Sequence, residues 1–571
     1  MTRLLVAVLV FAAVTSGCAN IPDRTPPKVV LDQPVTEPSK PGKPRPDLDP
    51  FSLVQDFVNA AGNPDAAKTY LTEEAGQHWP SSQVPTILQD NFTMPPLTGQ
   101  ENGVDPANPD EKVVVLTGTV VGRLRDNHVF SPEPQSLEHR VVVRRQPDRQ
   151  WRIATPPPDL LITQSKFDVA YRRVNLQFFD SEQRVMVSDP RYVENEPREG
   201  LEDRVMRLLV AGASDSLKTA VRSPLAGINL RTNAVLESGA VVVNLTQVDK
   251  SVEDRKRIAA QIVESLREVT SSPVRILSQD RPLLPQVEWR PSDVDSYDAL
   301  TTPKPDLLGL VAHGGRIYSM RDGKAIEGPS GAGAYDIASA AQSIDGTQLA
   351  IVQRTAAGMR LRIGALNADL AEVSHPAAAT LTRPTWLYGD NGGREAWTVL
   401  DGTVVIRAVR TPQGGWEDLS VDASELTANG GTITQLRLSR DGVRVAAVVN
   451  GEIKIASVVR TDDAVSISLP RTLHGAKIKE AVSVDWMGKD ALIVATRQNL
   501  LPVVKMPIDG LAFSVYNYST LTQPITAITA SPSRPAVVTD GSGMWSAQEA
   551  GPLWQAHPHG QGPGSVPFYP G

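Results

Sequence analysis

The residue with the most distinctive chemistry is Cys18, the sole cysteine among 571 residues. A thiol is a soft, ionisable nucleophile, and its thiolate fraction governs its reactivity. Cys18 directly follows Thr15, Ser16 and Gly17, and it closes an apolar run over residues 4–14 that Arg3 precedes. A basic start, a short apolar stretch and then small residues read as a secretory signal. The run is too short to span a bilayer, which takes about 20 apolar residues. A lone thiol in a secreted chain needs an explanation. Alkylation by a lipid supplies one; the alternative is a plain secretory signal with an incidental cysteine.

Elsewhere the sequence is poor in recognisable chemistry. It contains no G-x-S-x-G elbow, H-E-x-x-H pair, phosphate-binding Walker loop or EF-hand loop. Its 8 histidines are dispersed. His557 and His559 stand close together, but in a Gly/Pro-rich stretch without two further zinc ligands. His78 beside Trp79 reads as a surface or core-edge residue rather than a catalyst. Asp345 and Asp441 belong to a repeated Ser-x-Asp-Gly pattern that suits hairpin turns, where Asp and Gly tolerate positive φ. A metal role for them is the weaker alternative, because each falls in a different repeat. No catalytic set, no cofactor and no metal site is predicted.

Composition narrows the class. A net charge of −7 over this length lacks the basic face that nucleic acid would require. With no cysteine left for disulfides, exported domains must hold together through their cores.

Residues 1–17 are the signal and 18–49 a lipidated cysteine with a Pro-rich tether; prolines at 22, 26, 27, 34, 38, 41, 44 and 46 favour polyproline II. At ~3.1 Å per residue, such a spacer reaches roughly 90 Å when extended. Asp49-Pro50 is a helix start. Phe51, Val54, Phe57 and Val58 then recur at helical spacing. A second helix follows Asn63-Pro64, and a third short helix is predicted over residues 84–88. Strands are predicted over 113–124, 137–145 and 150–155. Helices followed by an antiparallel meander make residues 50–160 an α+β domain, with an order that resembles the NTF2-like cone. Residues 168–290 read as a hairpin around Asp180-Ser181-Glu182, a helix stopped by Gly212, two strands, a helix opened by a capping box at Ser251 and Asp254, and a closing strand.

From about residue 300 the helical signal vanishes. Residues 338–352 and 435–449 share the Ser-x-Asp-Gly phase, with weaker copies over 384–399, 482–495 and 525–538. Asp345 and Asp441 are 96 positions apart, two periods of about 48, which is the blade length of a β-propeller. Residues 300–556 are therefore read as an all-β propeller of about six blades. The first blade comes from residues 307–327, completed by a strand near Val287. Residues 557–571 are read as a disordered tail.

Several segments carry resemblances. Thr15-Ser16-Gly17-Cys18 resembles the lipobox of bacterial lipoproteins, whose cysteine becomes the diacylated first residue of the mature chain. Residues 208–212, 240–245 and 260–266 resemble the GerMN module, an α/β unit of bacterial envelope and sporulation proteins; Asn244 stands where many members carry Asp. Lipobox, tether, NTF2-like domain, GerMN module and propeller, in that order, resemble the actinobacterial lipoprotein LpqB family. The resemblance implies a lipoprotein anchored on the extracytoplasmic side of the cell membrane. It also implies an accessory role toward the extracytoplasmic region of an MtrB-like sensor histidine kinase, affecting cell-wall homeostasis and division. The alternative is a glycan-binding or glycan-processing lipoprotein with peptidoglycan contact, which could draw on Trp386, Trp397, Trp416, Trp486, Trp545 and Trp554 for stacking.

If Cys18 carries the lipid, Cys18→Ser should abolish labelling by a palmitate analogue and release the protein from membranes, because a hydroxyl is a poor substitute for the thiolate. A variant that still labels and sediments with membranes would exclude the assignment.

Overall fold

In the computed structural model the residues described are 44–80, 84–96, 109–298, 301–389, 393–462, 464–548 and 553–571. Cys18, the signal and most of the tether lie outside them. Asp49 caps the first helix, Pro50–Ala60, by accepting from the Phe51 and Ser52 amides at 2.9 and 3.2 Å. Its buried stripe, Leu53, Val54, Phe57 and Val58, packs with Leu116, Val141 and Ile153 of the following sheet. The end of the tether is laid down on this domain: Asp47 exchanges two hydrogen bonds with Gln150, and Arg45 pairs with Asp56 at 3.0 Å.

The third helix expected over 84–88 is instead a strand, Pro85–Leu88. It runs antiparallel to Glu111–Leu124 and parallel to Leu160–Thr163. All four of its residues are buried, so it shows no alternation to betray it. A short helix does occur earlier, Glu73–His78. His78 is exposed at its end, while Trp79 is buried and donates to the Pro157 carbonyl at 2.7 Å.

The second domain begins with a long hairpin, Tyr171–Phe179 and Met186–Glu194. Helix Leu201–Ala211 ends at Gly212, whose φ of 102° suits glycine. Strands Ala240–Leu245 and Val274–Ser278 are parallel, joined by helix Val252–Leu266. Ser251 caps that helix by accepting from the Asp254 amide at 3.0 Å. Asn244 is bound to Asp280 through both its side-chain atoms, at 2.7 and 3.2 Å. It thereby anchors the loop after the last long strand. The segment near Val287, expected to complete a propeller blade, is instead a strand of this sheet: Glu288–Trp289 pairs with Val274–Ser278.

The third domain is a six-bladed propeller with five four-stranded blades and one three-stranded blade. Blade 1 joins Leu310–His313 and Arg316–Ser319 to the far end of the chain. Blades 2 to 6 start at Ile337–Gln342, Thr385–Trp386, Ile433–Leu438, Ala481–Trp486 and Ala527–Thr529. The Ser-x-Asp-Gly segments are the turns from the first to the second strand. Asp441 Oδ1 accepts from Ser439 Oγ at 2.5 Å and from the Val443 amide at 3.0 Å, and Gly442 has φ 73°. Gly346 repeats this at φ 81°.

The stretch 557–571 expected to be disordered contains the strand that closes the ring. Val566–Phe568 pairs antiparallel with Leu310–His313 and becomes the innermost strand of blade 1. Phe568 is fully buried and Tyr569 nearly so. Composition misled here: the glycines and prolines before residue 566 form a connection, and the three paired residues are too few to show a period.

Phe568→Ala should destabilise the propeller by about 3–5 kcal/mol, the range for a fully buried aromatic. Hydrogen exchange at the Leu310 and Ala312 amides should accelerate with it. Unchanged protection there would show that the ring does not depend on this strand.

Candidate functional site

The six inner strands surround an axial channel. Each contacts its neighbour, and Val566–Phe568 touches the inner strands of both blade 6 and blade 2. The channel floor is built from side chains that would be costly apart. Asp485 of blade 5, 2% exposed, accepts from Arg383 Nη2 at 2.9 Å, Arg437 Nε at 3.2 Å and Thr529 Oγ1 at 2.8 Å. Arg437 also donates to Pro384 O and Gly571 O, both at 2.7 Å. Arg383 donates to the Ile528 and Pro567 carbonyls, and Arg440 to those of Trp486, Ala530 and Pro570. One carboxylate therefore ties blades 3, 4, 5 and 6 together, and its arginines reach on to blade 1.

Burial alone would raise the Asp485 carboxyl pKa, but Arg437, Arg383 and Arg440 outweigh it and hold the group far below the usual carboxylate range. Burial pushes the Arg437 and Arg440 guanidinium pKa values down, with the neighbouring arginines adding to this and Asp485 opposing it.

Above the floor the channel opens into a funnel of about 500 Å³. Ser339, Arg383, Gln435, Ser483, Ala527 and Val566 line it, one from each blade at the start of the inner strand. The threonines of the rim add hydroxyls, and Asp401 is occupied in accepting from the Thr380 amide at 2.8 Å. These groups can donate and accept hydrogen bonds around a polar guest. They do not pair a nucleophile with a base, so the arrangement suits binding rather than bond cleavage.

The opposite face, where the Asp-Gly turns lie, is covered by the second domain. Tyr388 Oη donates to Asp180 at 2.5 Å, and Arg394 pairs with Glu182. Arg444 donates to Ser188 O at 2.6 Å, and Arg173 bridges Asp490 and Asp509 at 2.6 Å each. Val443, beside the blade 4 turn, sits in the core of the second domain, while Val185 of the hairpin sits in the core of blades 3 and 4. Burial raises the Tyr388 hydroxyl pKa, and the Asp180 carboxylate raises it further. One propeller face is thus an internal interface, and the funnel opens on the other.

Cys18, the one site residue named from the sequence, lies outside the described residues. Trp386, Trp397 and Trp486 are fully buried and Trp554 nearly so. Trp416 packs edge-on against Trp386 at 5.7 Å. They serve as core rather than as a stacking platform. The floor and funnel were not singled out in the sequence, although a signal existed. Arg437 and Asp485 are 48 positions apart, one blade period, which places them at equivalent points of adjacent inner strands.

Asp485→Asn would leave three buried guanidiniums without a side-chain counter-charge, and should cost about 3–5 kcal/mol. Because the folded-state pKa lies below the unfolded one, the wild-type contribution is complete above about pH 4 and declines as pH falls toward the folded value. Urea midpoints of wild type and variant should therefore converge on acidification. A constant gap down to pH 2 would contradict the ionic account.

A model described as the lipoprotein LpqB N-terminal domain matches residues 43–168, and one for sporulation and spore germination matches 174–284. A third, the lipoprotein LpqB β-propeller domain, matches 315–570. The chain is 28% identical over 604 residues to lipoprotein LpqB of Rhodococcus opacus, covering 100% of this chain and 97% of that one. It is 28% identical over 617 residues to lipoprotein LpqB of Mycobacterium tuberculosis, covering 100% of both. The Nocardia farcinica protein of the same name is 29% identical over 586 residues, with 95% and 93% covered. With each of its three domains matched in order and its relatives aligned end to end, the chain belongs to the LpqB lipoprotein family.

Proposed function

We propose that this chain is a non-catalytic accessory lipoprotein, held by a lipid on Cys18 at the extracytoplasmic face of the membrane. Its partner in this proposal is the extracytoplasmic region of an MtrB-like sensor kinase, whose signalling toward cell-wall homeostasis and division it adjusts. The observation that carries the reading is the docking of all three domains into one compact unit over Lys43–Gly571. A partner shifts a kinase equilibrium only by binding one state better than the other. A body stiffened by buried ion pairs and interleaved cores can discriminate between two kinase conformations, whereas loosely strung domains would adapt to both. Among the described residues no helix is long and apolar enough to cross a membrane.

The alternative, glycan processing, would need exposed aromatic platforms and a pair of free carboxylates on one face. Burial of Trp386, Trp397 and Trp486 weighs against it, as does the commitment of Asp485 to arginines.

The mild net charge of −7 argues against a steered, strongly salt-dependent encounter. Reconstitution of the full-length kinase in liposomes with and without the lipidated protein tests the proposal. Autophosphorylation or phosphotransfer should change when the lipoprotein is present, with binding in the micromolar range of small signalling contacts. Equal rates in both preparations together with no detectable binding would overturn it.

A further inference from the structure

The funnel has features that neither the family nor the adaptor reading explains. The outer face of the propeller is left open by the second domain, and at its centre lies a concavity of about 500 Å³. That size falls within the range of small-molecule sites. Its wall is hydroxyl-rich rather than apolar: Ser339, Thr382, Ser483 and Thr526 surround it, and Gln435 adds an amide. The Gln435 and Ser483 side chains make no hydrogen bond to another described residue, so their donors and acceptors are available to a guest.

The floor supplies the charge. Arg383 lines the funnel, and its side chain is 6% exposed. Its Nη atoms are satisfied by Asp485 and two carbonyls. Its Nε–H is buried and has no acceptor among the described residues. Beneath it stand Arg437 and Arg440, so three guanidiniums face one side-chain carboxylate, Asp485. Walls of low dielectric focus such a field at the mouth of the cleft. Asp401, the acidic residue among the lining groups, is held by Thr380.

We infer that the funnel of the propeller binds a small, hydroxyl-rich molecule carrying one oxyanion, a sugar acid or a sugar phosphate, with the oxyanion directed to Arg383. The hydroxyls of such a guest exchange hydrogen bonds with the Ser, Thr and Gln ring. Its negative group meets the excess positive charge that Arg383, Arg437 and Arg440 place at the floor. The inference does not rest on the kinase reading, since an anion site on the outer face is compatible with any partner.

Calorimetric titration of the detergent-solubilised full chain with two matched pairs of probes tests it. Glucose 6-phosphate is compared with glucose, and N-acetylmuramic acid with N-acetylglucosamine. The acid of at least one pair should bind saturably and about tenfold or more tighter than its neutral partner, the size of one charge-assisted hydrogen bond. Which pair shows the difference separates phosphate from carboxylate. Gln435→Glu, at a half-exposed position that leaves the floor untouched, should weaken that binding about tenfold or more by placing a like charge at the rim. Arg383→Gln should abolish the preference for the acid wherever the variant retains the wild-type melting profile. Absence of saturable binding by both acids would overturn the inference. So would equal binding of acid and neutral sugar, or wild-type affinity in Gln435→Glu.

Discussion

The buried carboxylate of Asp485 is the constraint around which the propeller is arranged. Six blades packed side by side by apolar contacts alone could slide or splay, because hydrophobic burial has no direction. The Asp485 cluster is directional. Arg383, Arg437 and Thr529 approach from three different blades, and each donates to a defined oxygen. Buried ion pairs often add little net stability over an apolar replacement. Their distinctive contribution here is registry: the chain in blades 3, 4 and 6 must lie at the height where Arg383, Arg437 and Thr529 meet the shared acid. Arg383 and Arg437 pass the same constraint on to Pro567 and Gly571.

The second constraint lies at the turn face. Arg173 reaches from the hairpin of the second domain to Asp490 and Asp509 of blade 5. Its guanidinium pKa would be lowered by burial, but the two carboxylates outweigh this and raise it. Tyr388 and Arg394 of blade 3 hold the tip of the same hairpin at Asp180 and Glu182. The hairpin is thus clamped at both ends, and at its tip Val185 and Val443 are exchanged between the two cores. Motion of the second domain against the propeller would have to break charged contacts and expose apolar surface together.

Much of this was legible in the sequence where local chemistry repeats. The Ser-x-Asp-Gly turns at Asp345 and Asp441 set a period, and the period set the blade count. Asp49-Pro50, Gly212 and Ser251 marked helix ends because caps act within a few residues. The strand Pro85–Leu88 was not legible, since burial on both faces erases alternation. Val566–Phe568 and Glu288–Trp289 escaped for a different reason: each is defined by a partner distant in sequence rather than by its own residues. The funnel was hidden similarly. Ser339, Gln435 and Ser483 are unremarkable in their own strands and become a ring only when six strands converge.

Closure by Val566–Phe568 has a consequence for the order in which the molecule can be made. A ribosome or a translocation channel delivers the chain from its N-terminal end, so Leu310–His313 emerges long before the strand that completes its sheet. Until then blade 1 has an open edge, and the inner strands of blades 2 and 6 lack the neighbour between them. Closing so long a loop costs an entropy that grows only slowly with length, so delay rather than distance is the hazard. Unpaired edges of this kind invite pairing with other chains. The earlier blades therefore stand as an incomplete arc until Val566–Phe568 arrives and converts that arc into a ring.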